Sequence, residues 1–304
     1  MIKIGSRGSK LALWQANWVK SELEKAFPTL EVVIEIIKTT GDRYQEVAPP
    51  ENMPKGLFTK EIQDALLRSE VDVAVHSLKD LATDTNPELL LAAISERANP
   101  YDALISRKDN SWKNLPEGAH VGTTSTRRKS QLLSLRPDLK ISDLRGNVDT
   151  RLRKLDEGQY DAIILATAGL TRLGLKNRIS EELTADVIIP AVGQGALGIE
   201  IRASDEKVCK HVAILDHKET HIACMAERIF LAALGGGCQV PIAGFAEVAN
   251  DQMKMLGCVA SVDGKSIIKR EVSGASSEYK ELAQSLAQEI LAAGADKLIQ
   301  QFNN

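Results

Sequence analysis

One cysteine of the chain stands in a sequence that favours covalent attachment of a ligand. Cys238 follows three consecutive glycines and precedes Pro241 in the stretch LGGGCQVP at residues 234–241. The glycines leave one edge of a turn without side chains, so a bulky group can lie against the backbone and reach the sulfur. We interpret Cys238 as an attachment point. The alternative is a helix that ends at glycine and is followed by a small buried cysteine.

Short loops after the predicted strands indicate a second kind of chemistry, the binding of anions. Each combines glycine or a hydroxyl residue with a cation: GSRGS at 5–9, SLKD at 77–80, GTTSTRR at 122–128, LRGN at 144–147 and TAGLTR at 167–172. Backbone N–H groups and hydroxyls donate to anions, and arginine presents a planar fork that matches a carboxylate. One such loop is commonly a capped helix with a solvated arginine. Five at the same kind of junction predict a site for a ligand with several carboxylates, held at about micromolar affinity by two or three forks.

Asp80 is the one acid in these loops. Cations beside it keep a carboxylate ionised, and a salt-bridge partner for those cations is one interpretation. The other is catalytic, because a carboxylate in such a site stabilises positive charge that develops on a substrate. At about 4 Å and an effective dielectric constant near 20, that attraction amounts to about 4 kcal/mol, or nearly three decades of rate.

The elements that must position these residues begin with a first α/β unit. A strand at 2–4 leads through the first loop to a helix that Ser9 can cap. A strand at 32–37, a polar stretch at 41–56, a helix at 58–69 and a buried strand at 71–75 follow. The polar stretch, above all 42–55, has the composition of a lid over a site.

Alternation of strand and helix restarts after Pro100 and predicts a second α/β unit. Its strands lie near Ala103, His120, Ile141, Ala162 and Val187, with a helix at 148–155. Such alternation predicts parallel sheets, which bind ligands at the carboxyl ends of their strands. A helix at 219–234, strand-like runs at 242–248, 253–262 and 266–272, and a final helix at 278–293 predict a small α+β third domain.

Composition excludes several classes of protein. The 304 residues carry a formal net charge of −3, which argues against broad nucleic-acid binding. No uncharged run approaches the roughly 20 residues that cross a bilayer, and the N-terminus lacks the features of a signal peptide, so we expect a cytoplasmic protein without membrane contact. The sequence contains neither a P-loop nor a Gly-x-Gly-x-x-Gly after a strand, which disfavours a nucleotide site.

The remaining cysteines and histidines form a weak alternative. Cys209, Cys224 and Cys258 lie far apart with no Cys-x-x-Cys pair, which disfavours structural zinc. His211, His217 and His221 fall near two of them, and a solvated helical face accounts for that cluster better than a metal does. We expect no metal.

Six ordered motifs give the chain a family resemblance. They are GSRxSxLA at 5–12, HSLKD at 76–80, GTTSxRR at 122–128, LRGNV at 144–148, PAVGQG at 190–195 and LGGGCxxP at 234–241. Together they span essentially the whole chain and resemble the porphobilinogen deaminase (hydroxymethylbilane synthase) family. The resemblance implies a transferase that joins four porphobilinogen units head to tail with release of ammonia. Hydrolysis then frees the linear tetrapyrrole hydroxymethylbilane.

The resemblance also implies the site. A dipyrromethane cofactor would be attached by a thioether to Cys238 and prime the chain, and the family's catalytic acid maps to Asp80, facing pyrrole N–H groups and balancing the cationic azafulvene left by ammonia. The implied cofactor-binding residues, besides Cys238 and Asp80, are Lys55, Ser77, Lys79, Thr123, Ser125, Arg127, Arg128, Arg145 and Gly146. The implied substrate-binding residues are Arg7, Ser9, Gln15, Arg145, Arg151, Arg172 and Gln194.

The implied architecture is two α/β domains like those of type II periplasmic binding proteins, with the site between them, and a small α+β domain that carries the cofactor cysteine. The expected boundaries are 1–97 with 195–215, 98–194, and 216–304. Family precedent favours a monomer. The chain departs from the family pattern at Ala82, where proline is usual, and at Thr126, where leucine is common, which affects local loop geometry and no charged role.

A different class of function competes with the enzyme. Two α/β units with anion loops also suit a non-enzymatic binding protein for a small polycarboxylate. Such a protein needs no thiol, so a covalent adduct on Cys238 distinguishes the two.

Overall fold

A computed structural model describes residues 1–40, 59–84, 86–235 and 240–303. Cys238, Lys55 and the proposed lid at 42–55 lie outside these residues. The chain divides into two compact units. Unit 1 comprises Met1–Ala98 and Ala196–His221, and unit 2 comprises Asn99–Gly195 and Ile222–Asn304. The three-domain boundaries expected from the sequence stay a prediction.

The strands of the described residues are β1 (Ile2–Ser6), β2 (Val32–Ile36), β3 (Val73–Ser77), β4 (Leu89–Ile94), β5 (Asp102–Ser106), β6 (His120–Gly122), β7 (Lys140–Ser142), β8 (Ala162–Ala166), β9 (Glu181–Leu183), β10 (Leu197–Arg202), β11 (Ile242–Ala249), β12 (Gln252–Ala260) and β13 (Ile267–Ala275). The helices are α1 (Lys10–Ala26), α2 (Lys60–Leu67), α3 (Thr126–Leu135), α4 (Val148–Asp156), α5 (Thr167–Arg172), α6 (Glu206–Val212), α7 (Lys218–Ala233), α8 (Tyr279–Ile290) and α9 (Asp296–Asn303).

Two five-stranded sheets share one strand order. Unit 1 has the order β2-β1-β3-β10-β4, and unit 2 has β7-β6-β8-β5-β9. In each, three consecutive strands are parallel, and one strand from elsewhere in the unit pairs antiparallel with the third of them and with the outermost strand. The expectation of purely parallel sheets is therefore wrong. Local alternation predicts β5, near Ala103, but not its antiparallel direction, and it does not predict β10.

Helices cover both faces of the unit 1 sheet. Ser9 caps α1, whose Val19 and Leu23 pack with Ile4 and Val73 on one face. On the other face α2 packs Ile62 and Leu66 against Ala74. Burial of both faces leaves the edge at the carboxyl ends of β1 and β3 for the loops that carry the polar motifs.

The C-terminal sheet of unit 2 is an antiparallel meander, β11-β12-β13. Helices α7, α8 and α9 contribute to its core, where the ring of Phe230 is fully buried. The predicted fold class, two α/β domains and a small α+β domain, is confirmed.

Several predicted boundaries are wrong. Val187 lies in a turn, and the strand of that region is β9, which lies four to six residues earlier in the chain. Residues 167–172 form α5 rather than a loop. The helix predicted at 278–293 ends at Ile290. A π-helical turn at 291–295, in which Gly294 has φ 98°, separates it from α9. None of the helices in the described residues is long and apolar enough to cross a membrane.

Close packing around Phe230 generates a prediction for the C-terminal sheet. A Cβ on Gly257 would lie 2.7 Å from Phe230 Cζ and 2.8 Å from Ile290 Cδ1. We expect Gly257→Ala to lower the free energy of unfolding by about 1–3 kcal/mol through overpacking. In a Phe230→Leu background, which removes ring atoms, we expect Gly257→Ala to cost less by at least about 0.5 kcal/mol. Urea unfolding of the four proteins measures the coupling, and strictly additive losses would contradict it.

Candidate functional site

The first group of polar motifs lies at one edge of the unit 1 sheet. Since β1 and β3 are parallel, the loops after Ser6 and after Ser77 meet at their carboxyl ends. Ser9 Oγ accepts a hydrogen bond from Ala12 N at 3.3 Å and so starts α1 beside this edge. Gln15, one turn further along α1, donates from Nε2 to Ser77 Oγ at 2.7 Å. That contact ties the two loops together.

A small cleft opens where these loops meet. Its lining residues are Arg7, Ala12, Gln15, Thr59, Ile62, Val75, His76, Ser77 and Asp80. Asp80 ends a short 3-10 turn, Leu78–Asp80, and is exposed. Its carboxylate makes no hydrogen bond or ion pair with any other residue that the structure describes. The structure therefore gives no support to the interpretation of Asp80 as a salt-bridge partner for neighbouring cations among the described residues.

The second group of motifs lies at one edge of the first sheet of unit 2. Strands β6, β7 and β8 are parallel, so the loops at 123–125, 143–147 and the start of α5 share an edge. Ser125 caps α3 by accepting from Arg128 N at 3.4 Å, and Thr123 Oγ1 accepts from Ser125 N at 3.2 Å. Asn147 caps α4 in the same way, accepting from Thr150 N at 2.9 Å.

The turn before α4 requires glycine. Gly146 has φ 114°, and a Cβ there would lie 2.6 Å from Thr150 Cγ2. Arg151 closes this turn from the helix side by donating from Nε to Gly146 O at 2.8 Å. Arg145 Nη2 lies 3.1 Å from Asp143 Oδ2 in a partly exposed ion pair. Both arginine side chains are half-buried.

Two arginines of α3 share a single buried carboxylate. Arg128 donates to Asp102 Oδ1 from Nε at 3.0 Å and from Nη2 at 2.6 Å, and Arg127 Nη1 lies 2.8 Å from Asp102 Oδ2. All three side chains are buried, and Asp102 completely so. Burial on its own would raise the pKa of Asp102, but the two guanidiniums outweigh it and hold that pKa well below its usual range.

The balance of charge in this cluster is positive. Two guanidiniums face one carboxylate, and burial together with the charge of Arg128 lowers the pKa of Arg127 although Asp102 opposes that shift. Burial also lowers the pKa of Arg172 to about 10, which leaves it charged at neutral pH. An anion that reaches this edge would therefore gain from cations already desolvated and held in place.

The turn PAVGQG at 190–195 is held by side-chain hydrogen bonds. Gln194 donates from Nε2 to Asp102 Oδ1 at 3.0 Å and to Pro100 O at 2.7 Å. Arg172 Nη2 donates to Gly195 O at 2.7 Å. Glu227 of α7 accepts from Gly193 N at 2.6 Å and, with its other oxygen, from Ala246 N at 2.8 Å. The turn thus connects the arginine cluster to the C-terminal sheet.

The structure sorts the predicted site residues into two groups. Within unit 1 it brings together Arg7, Ser9, Gln15, Ser77, Lys79 and Asp80. Within unit 2 it brings to one sheet edge Thr123, Ser125, Arg127, Arg128, Arg145, Gly146, Arg151, Arg172 and Gln194. The sequence analysis missed Asp102, His76, Glu200 and Glu227. Each contacts a partner that lies at least 19 residues away in the sequence. The local signal, a lone acid in an apolar strand, applies to Asp102 and Glu200.

The described cysteines differ in reactivity. Cys224 and Cys258 are buried and Cys209 is half-buried, and none of the three forms a disulfide. Burial raises the pKa of the Cys258 thiol to about 12, so that thiol is a poor nucleophile at neutral pH. Among the residues that the structure describes, no three His, Cys, Asp or Glu side chains are placed to hold a metal. His221 instead pairs with Asp216 at 2.7 Å.

Comparison with known proteins identifies similar sequences over nearly the full chain. The family model "Porphobilinogen deaminase, dipyromethane cofactor binding domain" matches residues 2–210, and "Porphobilinogen deaminase, C-terminal domain" matches residues 221–292. The curated Porphobilinogen deaminase of Pelobacter propionicus is 48% identical over 300 residues, covering 99% of this chain and 96% of that one. The protein of the same name from Lawsonia intracellularis is 49% identical over 299 residues, covering 98% and 97%.

Solved structures give more distant likenesses. A nutrient binding protein from Burkholderia cenocepacia bound to methionine is 16% identical, with coverage of 70% of this chain and 90% of that one and a TM-score of 0.43. The ancestral amino acid-binding protein AncCDT-1 is also 16% identical, with coverage of 70% and 87% and a TM-score of 0.38. Both TM-scores lie below 0.5, so the architecture rests on the sheets and helices described above.

The shared counter-ion yields a prediction about stability and pH. Asp102→Asn leaves two buried guanidiniums without a carboxylate, and we expect the free energy of unfolding at pH 7 to fall by about 3–5 kcal/mol. Because the folded-state pKa of Asp102 is lowered, its contribution is complete above the unfolded-state value of about 4 and declines as pH falls toward the folded-state value.

Thermal unfolding of both proteins between pH 3 and pH 7 measures this effect. The difference in Tm should be constant from pH 7 to about pH 5 and shrink below about pH 4. Asp138→Asn removes a partly exposed partner of Arg136 in the same unit and should cost much less. An Asp102→Asn protein as stable as Asp138→Asn would contradict the prediction.

Proposed function

Because the chain belongs to the porphobilinogen deaminase family, we propose that its two anion-binding sheet edges and Asp80 carry out the chemistry of that family. The protein is a transferase, a hydroxymethylbilane synthase. It condenses four porphobilinogen molecules head to tail on a dipyrromethane cofactor, releases ammonia at each addition and frees hydroxymethylbilane by hydrolysis. The observation that carries the assignment of roles is the carboxylate of Asp80, which has no partner among the described residues and lies in a cleft lined by Arg7, Gln15 and Ser77.

The residues at the unit 2 edge fit a cofactor with several carboxylates. Two buried guanidiniums share one carboxylate there, so the site has an excess of positive charge that the protein itself does not compensate. Bound dipyrromethane supplies a pyrrole carbon to which the next ring is joined. We assign its acidic arms to Arg127, Arg128, Arg145 and the donors of Thr123, Ser125 and Gly146, with Ser77, Lys79 and Lys55 as further contacts.

We propose a thioether to Cys238 as the covalent attachment. Cys224 and Cys258 are buried, and the raised pKa of Cys258 makes its thiol unreactive. Cys238 has the glycine-rich frame that a bulky group needs. The reactivity of the described cysteines supports this choice.

Asp80 would act on the charge that appears when ammonia leaves. The carbon–nitrogen bond breaks, its electron pair leaves with nitrogen, and the substrate ring becomes cationic. A carboxylate at about 4 Å stabilises that cation by about 4 kcal/mol at an effective dielectric constant near 20. Asp80 has no ion-pair partner among the described residues. No ion pair with those residues therefore competes with the substrate cation for its carboxylate. The same carboxylate accepts pyrrole N–H bonds.

Substrate recognition follows from the remaining cations. We assign the acidic arms of porphobilinogen to Arg7, Ser9 and Gln15 in unit 1, and to Arg145, Arg151, Arg172 and Gln194 in unit 2. Arg172 donates to Gly195 O in the turn at 190–195, and Gln194 of that turn donates to Pro100 O, so they also fix the chain beside the arginine cluster. We further propose a cytoplasmic monomer without nucleic-acid or membrane partners, with domains at 1–97 with 195–215, 98–194 and 216–304.

Attachment at Cys238 predicts a mass. Denatured wild-type protein should exceed its sequence mass by two porphobilinogen units less two ammonias, and peptide mapping should place the excess at Cys238. Cys238→Ser should have the bare mass, whereas Cys209→Ser, the control at a half-buried thiol, should keep the excess. A bare wild-type protein that gains no single-pyrrole adducts from added porphobilinogen would instead favour a polycarboxylate-binding protein.

Asp80 predicts a separable defect. Asp80→Asn protein carrying the cofactor mass should lose about a thousandfold in turnover, as expected when a charge interaction specific to the transition state is removed. Asp84→Asn, a nearby acid beyond the turn, serves as the matched control and should turn over normally. Near-normal turnover by loaded Asp80→Asn would reject the catalytic assignment.

A further inference from the structure

A carboxylate is buried in the unit 1 sheet next to the strand that leads to Asp80. Glu200, on β10, is only 1% exposed. The sheet register pairs it with Ala74 of β3 on one side and Leu91 of β4 on the other. A carboxylate that is buried without hydrogen-bond partners strongly destabilises the folded state. The partners of Glu200 therefore explain how the fold can retain it.

Glu200 has two side-chain partners. Gln63 of α2 donates from Nε2 to both carboxylate oxygens at 3.0 Å. His76 of β3 places Nε2 at 3.2 Å from Glu200 Oε2, and both side chains of that pair are 2% exposed. The contact joins the carboxylate to the imidazole, and an ionised carboxylate would accept from His76 Nε2. Glu200 thereby fixes the orientation of the imidazole ring.

His76 connects this buried carboxylate to the cleft. It lines the cleft together with Arg7 and Asp80, and it directly precedes Ser77 at the end of β3. The same strand β10 also supports the turn that follows, because Leu78 N donates to Ala196 O at 3.1 Å. Gly198, opposite His76 in the register, would bring a Cβ within 3.0 Å of Leu78 Cδ1. The strand end and the Asp80 turn are thus built against β10.

We propose that Glu200 is a positioning residue for turnover, acting through His76. Its hydrogen bond holds the imidazole in the cleft wall and so fixes the strand end from which Ser77 and Asp80 project. This inference rests on the proposed role of Asp80 and extends it to a buried pair. Displacement of a catalytic group by about 1 Å can cost about a hundredfold in rate, so loosening this support should affect turnover more than binding.

The test compares Glu200→Gln, His76→Asn and the double variant as holoenzymes whose cofactor mass has been verified. Rapid-quench mass spectrometry counts single-pyrrole additions as a function of porphobilinogen concentration. Each single variant should lower the saturated rate at least about tenfold with KM within about twofold, and the double variant should be no slower than the slower single one, since the pair acts as a unit. Gln63→Met removes only the amide hydrogen bonds to Glu200, so it should slow pyrrole addition less than Glu200→Gln does. It replaces Glu200→Gln in the test if that variant does not fold.

Asp72→Asn is the matched control. Asp72 pairs with Arg202 Nη2 at 3.0 Å in the same unit, near the opposite end of β3, so it tests loss of an ion pair without contact to the cleft. It should lower Tm and leave the saturated rate unchanged. Normal saturated rates in Glu200→Gln, a rise in KM alone, or losses that multiply in the double variant would each overturn the proposal. Asp80→Asn measured in parallel separates the two ideas, because a slow Asp80→Asn beside a normal Glu200→Gln rejects only the positioning role.

Discussion

A shortage of negative charge around α3 determines much of the structure of unit 2. Arg127 and Arg128 are buried against one carboxylate, Asp102, which also accepts from Gln194. Because an uncompensated buried guanidinium is so costly, Asp102, α3 and the turn at 190–195 must be placed together. The same shortage prepares the edge for an acidic ligand, since the cations are already desolvated and oriented when it arrives. Stability and binding therefore depend on the same arrangement. The carboxylate of Asp102 stabilises the two buried guanidiniums but does not neutralise both of their charges.

In unit 1 the candidate catalytic acid is exposed rather than buried. This acid, Asp80, stands on a short turn without a partner among the described residues, and what supports it is buried polar structure beneath the sheet edge. In both units an antiparallel strand supplies that support: β5 begins with Asp102, and β10 carries Glu200. Each inserts beside the third parallel strand, whose carboxyl end bears predicted site residues. In both units the repeated strand order thus places a buried acid next to the sheet edge that carries the predicted site residues.

The sequence was sufficient for features that depend on neighbours along the chain. The helix cap at Ser9, the loops after β1, β3, β6 and β7, and the three-part fold class all follow from local spacing and turn chemistry. It was insufficient where partners lie far apart, as for Arg128 with Asp102 or His76 with Glu200, separated by 124 residues. It also failed at Val187 and at α5, because short apolar or glycine-containing runs fit strand, turn and helix equally well until packing decides. The roles of the site residues, above all Cys238 and Asp80, stay predictions.

The insertion of β10 has a consequence for how the protein is made. The five strands of the first unit 2 sheet lie within one continuous stretch of chain, β5 to β9, whereas the unit 1 sheet lacks its fourth member until β10 at Leu197–Arg202 has been synthesised. At about 5–20 residues per second, a nascent chain waits several seconds between β4 and β10. During that interval β3 and β4 have open edges, which are sites for mispairing. The sheet of unit 1, whose first strand begins the chain, is therefore completed only after the first sheet of unit 2, and β3 and β4 keep their open edges until residues 197–202 have been synthesised.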